Sequence, residues 1–148
     1  MSIYHVFDER GSRQIVGPEI AFFVEEVSPL LYEALQYSRG EMSVEDALAF
    51  VAEGFCQLWI GGDKDKRIVI LTEIADFPQK RVVRIVALAG ETAHYISMFE
   101  AIKRWAAMNG ASELEAYCRP SVARLAKRYG FFRTEREQIV LSLKGYMQ

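Results

Sequence analysis

Apolar positions along this chain recur at two different periods, and the switches between them mark its elements. The clearest switch lies between Arg81 and Phe131. Val82-Val83-Arg84-Ile85-Val86-Ala87-Leu88 reads as a strand rich in β-branched residues, closed by Gly90. From about Thr92 to Asn109 the period becomes helical, with Ile96, Phe99, Ile102 and Ala106 on one stripe. Gly110 stands where a left-handed residue would end that helix. Leu114 to Cys118 is a second short strand, and Pro120-Ser121 opens a helix that stops at Gly130. Strand, crossover helix and strand make a βαβ unit, so the two strands pair in parallel through a right-handed crossover. Ligands of such units bind beyond the carboxyl ends of the strands. The loop from Ala89 to Ala93 is therefore the first place to look for chemistry.

The flanking stretches fill in the fold. Ile3 to Phe7 forms an edge strand, followed by a polar turn at Arg10-Gly11-Ser12. Pro18 suits the first turn of a helix whose face carries Phe23, Val27, Leu30, Leu31 and Leu35, ending at Gly40. Pro29 inside it predicts a kink or short break. Ser43-Val44-Glu45-Asp46 has the form of a capping box, and the helix it opens stops at Gly54. Phe55 to Ile60 and Arg67 to Ile74 are strands joined by a polar, glycine-rich loop, and a turn at Phe77-Pro78-Gln79 returns the chain to Arg81. Phe131 to Arg133 and Gln138 to Leu143 read as a closing pair of strands. The fold class is mixed α/β (α+β): one domain over residues 1–148, in the order β-α-α-β-β-β-α-β-α-β-β. Its twisted, largely antiparallel sheet has about seven strands with about four helices, splayed at the two parallel strands.

Composition narrows the functional classes. The chain has 148 residues, a net charge of -2, 51% hydrophobic and 26% charged residues. That is globular, and it is not the balance of a globally basic nucleic-acid binder. No apolar run reaches membrane-spanning length, and the N-terminus lacks the layout of a secretory signal, so a cytoplasmic protein is expected. Cys56 and Cys118 lie far apart inside expected strands and read as small buried thiols.

Two stretches add a likeness. Lys103-Arg104-Trp105-Ala106-Ala107-Met108-Asn109-Gly110 is similar to the "WA-x-x-x-G" end of the central helix in the GNAT superfamily of acyl-CoA-dependent N-acyltransferases. Arg128-Tyr129-Gly130-Phe131 is similar to that family's "x-x-GF" after its last helix. The order of elements resembles the same family across nearly the whole chain, and most of all its small, divergent phage- and prophage-encoded members. The resemblance implies acetyl-CoA or another acyl-CoA as cofactor, held by Leu88, Ala89, Gly90, Thr92, Ala93 and Tyr95. Backbone N–H groups and the helix N-terminus would take its pyrophosphate. Gly90, Ala93 and Tyr95 depart from the family's Q/R-x-x-G-x-G/A pattern, and Ala126 stands where its general-acid tyrosine is common.

Residue chemistry supplies the rest. Tyr117, near the end of its strand, is the remaining candidate acid, and Glu73, on a central strand, the candidate base. His94 sits at the cofactor loop and titrates near neutrality. There is no G-x-S-x-G elbow, paired-histidine helix or P-loop, and no metal ligand set is expected. Arg124, Lys127 and Arg128 share a helix and can reach an anionic ligand. Together with Phe131 and Phe132 they would suit a single-stranded nucleic acid only if they form one face. The leading expectation is acyl transfer to an amine of a small molecule or protein, with a homodimer as the candidate assembly. The alternative is a catalytically degenerate protein of the same fold that acts by binding, as a phage or prophage structural or accessory protein.

Overall fold

The computed structural model describes residues 13–15, 17–62, 67–90 and 95–147, with the side chains of Arg13, Tyr95, Ile96 and Ser97 left out. The strands are β1 (Arg13–Ile15), β2 (Cys56–Gly61), β3 (Ile68–Phe77), β4 (Lys80–Ala89) and β5 (Glu113–Ala116). The α-helices are α1 (Val24–Leu35), α2 (Val44–Glu53), α3 (Tyr95–Met108) and α4 (Pro120–Ala126), with 3-10 segments at Gly17–Phe22 and Lys127–Tyr129. The chain divides after Cys118 into two units.

The first unit is a five-stranded sheet in the order β1-β2-β3-β4-β5, antiparallel from β1 to β4 and parallel between β4 and β5. Alternation along the strands separates two faces. On one, Leu58, Ile60, Val69 and Leu71 are buried with Val27 and Leu31 of α1 and Ala47 and Val51 of α2. On the other, Trp59 meets Trp105 of α3 edge-to-face, ring centroids 5.5 Å apart. There the Trp59 indole N–H donates to Thr72 Oγ1 at 3.0 Å, and the Thr72 hydroxyl donates to Gln57 Oε1 at 2.8 Å. These hydrogen bonds satisfy polar groups that would otherwise cost free energy in a buried layer.

Several elements follow from local chemistry. The Ser43 hydroxyl accepts from the Asp46 N–H at 3.1 Å, and the Asp46 carboxylate accepts from the Ser43 N–H at 3.0 Å. This is the capping box expected for α2, and Gly54 closes the helix. At the end of α3, Gly110 takes φ +81°, so the Ala111 N–H reaches the Ala106 carbonyl at 3.0 Å. Met98, Phe99, Ala101, Ile102, Trp105 and Ala106 bury the face of α3 that the helical stripe marks.

Three expectations need correction. The break in the first helical stretch falls at Phe23, where a 3-10 segment gives way to α1, and α1 continues through the exposed Pro29. A solvent-side proline leaves its missing N–H away from the core, so the helix survives it. That helix also ends at Leu35 rather than Gly40. A three-residue strand appears at Arg13–Ile15, beside β2; the expected strand at Ile3–Phe7 and turn at 10–12 lie outside the described residues. The expected closing strands at 131–133 and 138–143 are not strands, so the described sheet has five strands rather than seven. Strand-like composition without a ladder partner does not make a strand.

The second unit, described by itself, begins with Pro120 in the first turn of α4 and closes at Gly130. Arg124, Lys127 and Arg128 are exposed on its helical stretch. No helix among the described residues is long and apolar enough to cross a membrane.

Candidate functional site

The site grows from the unequal lengths of β4 and β5. On its β3 side, β4 is paired from Lys80↔Phe77 to Ala89↔Val69. On its β5 side the pairs are only Val82↔Glu113, Val83↔Leu114, Arg84↔Glu115 and Ile85↔Ala116. From Val86 to Ala89, that edge of β4 has no strand partner among the described residues. The parting coincides with a bulge. Leu71 pairs Ala87 and Thr72 pairs Ile85, which leaves Val86 as the extra residue. A bulge bends its strand and re-aims the residues beyond it.

Gly90 follows at φ +116°, and a Cβ there would stand 2.5 Å from Ile68 Cγ2 and 2.6 Å from the Arg67 carbonyl oxygen. The glycine is required because β4 ends pressed against the start of β3, whatever binds on the other side. Leu88 is half-buried and Ala89 buried at this end of the strand. Arg67, beside this turn, donates to Glu26 of α1 at 2.6 Å and to the Gly62 carbonyl at 2.8 Å. Thr92, Ala93 and His94 lie outside the described residues, as does the side chain of Tyr95, whose backbone opens α3.

At the last rungs before the parting, one row of the sheet is charged. Glu73 of β3, Arg84 of β4 and Glu115 of β5 are register partners in succession, so their side chains share a face. Arg84 donates to Glu115 Oε1 through Nε at 3.1 Å and Nη2 at 2.7 Å, and to Glu73 Oε1 through Nη1 at 3.4 Å. Its guanidinium carbon lies 5.4 Å from the centroid of the Tyr117 ring, within cation–π range. Burial works against the Arg84 charge. The Glu115 hydrogen bond and the charges of Glu115 and Glu73 more than offset it, and its pKa stands above the ordinary arginine value.

The structure thus brings together the two catalytic candidates, Glu73 and Tyr117, which sequence reasoning proposed separately. What joins them, Arg84 and Glu115, sequence reasoning missed. A signal existed: Arg84 is the one charge inside the run Val82 to Leu88. Cys56 faces Glu73 across the β2–β3 ladder. Burial, and secondarily the Glu73 charge, pushes its thiol up to about 11, which makes it a poor nucleophile near neutrality. Cys118 departs from the expected buried strand thiol, being exposed and beyond the end of β5.

Two small cavities lie elsewhere. One of about 240 Å³ sits beside Tyr32, Met42 and Ser43, and one of about 180 Å³ beside Lys103, Ala107 and Leu114. Neither contains a residue of the charged row. Among the described residues, no group of three His, Cys, Asp or Glu side chains is placed to hold a metal ion.

No family model matches the sequence, and no curated protein matches it. Solved structures do match the fold. A predicted acetyltransferase with acetyl-CoA from Clostridium acetobutylicum superposes with a TM-score of 0.64 at 16% identity, over 90% of this chain and 96% of that one. A ribosomal-protein-alanine N-acetyltransferase from Brucella melitensis biovar Abortus 2308 gives 0.63 at 10% identity, over 88% and 98%. An aminoglycoside 6'-N-acetyltransferase from Acinetobacter haemolyticus gives 0.61 at 12% identity, over 82% and 92%. Likeness at these identities speaks for architecture: the chain has the fold of the GNAT acetyltransferases.

Proposed function

We propose that this chain is an acyltransferase that moves an acetyl or other acyl group from coenzyme A to a primary amine of a small molecule or protein. The observation that carries the reading is the edge of β4 from Val86 to Ala89, which has no strand partner among the described residues and follows closely on the rungs that hold Glu73, Arg84 and Glu115. An open strand edge suits an extended, amide-bearing arm such as that of coenzyme A. Bound there, acyl-CoA supplies a thioester activated for attack by an amine. Leu88 and Ala89 would present backbone groups to it, and Gly90, Thr92, Ala93 and Tyr95 are the residues we assign to its pyrophosphate. The N-terminus of α3 favours negative charge at that turn.

The charged row provides the proton handling. An acceptor amine arrives as an ammonium, and Glu73, which accepts a hydrogen bond from Arg84, is the carboxylate we assign to take its proton. Tyr117 carries a phenolic proton just past the end of β5, against Arg84. Ordering of the acceptor beside the β4 edge contributes the larger share of the rate. The named neighbours in Brucella and Acinetobacter, by their descriptions, act on the amines of a ribosomal-protein alanine and an aminoglycoside. That supports an amine acceptor here without choosing one.

A second reading has its own support. Ala126 occupies the place of the family's usual acid, and Arg84 engages Glu73 directly. Both favour a protein that keeps the fold and acts by binding. Thermal unfolding and calorimetric titration with acetyl-CoA separate the two. At a hundred times its dissociation constant, acetyl-CoA adds about 2.7 kcal/mol of stability. Release of coenzyme A thiol with primary amines then establishes transfer. No shift at millimolar acetyl-CoA in a folded protein removes the acyltransferase reading.

A further inference from the structure

We infer that Arg84 is a positioning residue of this site, holding the Glu73 carboxylate where an acceptor ammonium gives up its proton; the inference rests on the acyltransferase reading. Its three contacts are unequal, and the inequality is informative. Glu115 takes two donors of the guanidinium, at 3.1 and 2.7 Å, whereas Glu73 takes one at 3.4 Å. Glu115 therefore anchors Arg84 to β5, and Arg84 in turn orients Glu73 without saturating it. Two carboxylates share one guanidinium, so the trio carries one negative charge more than pairing requires.

A purely structural role accounts for this row less well. The ladder hydrogen bonds already join β3, β4 and β5 through Glu73, Arg84 and Glu115. Their side chains are roughly two-thirds withdrawn from solvent, with 33%, 26% and 31% exposed. Charged groups so placed pay desolvation, and apolar replacements of similar size are often as stable. On the next rung of the same face, Ala75 and Val82 are apolar while Glu113 is charged and pairs with Lys80, both about half-exposed. Of the two charged groups on this face, the less exposed one, which links three strands, lies one rung short of the point where β4 and β5 part, where an acceptor would meet the open edge. Among the described residues, the charged and titratable groups facing Glu73 are Arg84 of β4 and, on β2, the Cys56 thiol; Glu115 and Tyr117 reach it through Arg84. Proton transfer leaves a neutral amine and a protonated Glu73, and Arg84, fixed as a cation, takes no part in it as an acid or base.

The test compares the full-length wild type with Arg84→Gln, Arg84→Lys and Glu115→Gln. Acetyl-CoA binding is read by calorimetry, and thiol release with a panel of primary amines, spermidine and tyramine included, is followed from pH 6 to pH 9. The expected result for Arg84→Gln is a fall in kcat of tenfold or more with acetyl-CoA affinity unchanged. The acidic limb of its kcat/KM profile should move to higher pH, the direction for a carboxylate that loses a neighbouring cation. Arg84→Lys should recover part of the rate, and Glu115→Gln should lose less than Arg84→Gln. If Arg84→Gln alters melting alone, with kcat and the pH limb untouched, Arg84 is structural and the inference is overturned. Should Arg84→Gln fail to fold, an unchanged pH limb in both Arg84→Lys and Glu115→Gln overturns it equally. A wild type that binds acetyl-CoA yet releases no thiol with any amine overturns the assignment of a proton acceptor to this row. A wild type that does not bind acetyl-CoA fails earlier, and removes the acyltransferase reading itself.

Discussion

The two sides of β4 are built differently. Toward β3 it is paired along its whole length, and the neighbouring layers are packed with Leu71, Ile70, Trp59 and Thr72, all fully buried. Toward β5 it has four paired rungs, edged by half-exposed charges, and then an open stretch. Stability is concentrated on the first side and the proposed chemistry on the second. An open edge can exist on one side of a strand only if the other side holds it without help.

That contrast can be tested from its stable side first. Gly90→Val should cause the largest loss, at least about 3 kcal/mol in urea unfolding. It combines a disfavoured φ with a Cβ driven into the β3 backbone. Thr72→Val should cost about 2 kcal/mol by the same measurement, because it strands the Trp59 N–H and the Gln57 oxygen in a buried layer. A change in Trp59 fluorescence should accompany it. On the β5 side, Lys80→Met breaks the ion pair with Glu113, both about half-exposed, and should cost under about 1 kcal/mol. If Lys80→Met costs as much as Thr72→Val, the division between the two sides fails.

A smaller effect sharpens the same division through pH. The Cys56 thiol is raised from 9.0 to about 11, first by burial and then by Glu73. A raised pKa means that the folded state holds its proton more tightly than the unfolded one. The associated stability is complete below pH 9 and is lost as pH rises from 9 to about 11. Cys56→Ala should flatten that alkaline decline in a pH series of unfolding curves. Alkylation at neutral pH should modify the exposed Cys118 well before Cys56.

How far the sequence could be read depended on the range of the interactions involved. α2 was legible to the residue because its signals, Ser43, Asp46 and Gly54, act on their own backbone. The meander and the crossover were legible because Pro78, Gly90 and Gly110 punctuate strong periodic runs. The strand at Arg13–Ile15 was not, since three residues carry no period and depend on β2 for pairing. The 138–143 stretch shows the opposite case: its apolar, β-branched composition suits a strand, yet among the described residues no ladder partner makes it one. Glu73 and Tyr117 could be suspected from residue type and place. Their union through Arg84 depends on the register of three strands, which no local pattern encodes.

The parallel seam also has a consequence in time. Arg84 and Glu115 are 31 positions apart in the chain, whereas the β3–β4 turn brings Phe77 and Lys80 together across two residues. Hairpins close in microseconds, while a pairing that must wait for an intervening helix pays a larger loop-closure entropy first. A refolding chain should therefore bury its central hairpin before it seats β5. Fluorescence of Trp59 would return ahead of the proposed competence to bind acetyl-CoA. Any partly folded species would be a stable scaffold that has not yet acquired a site.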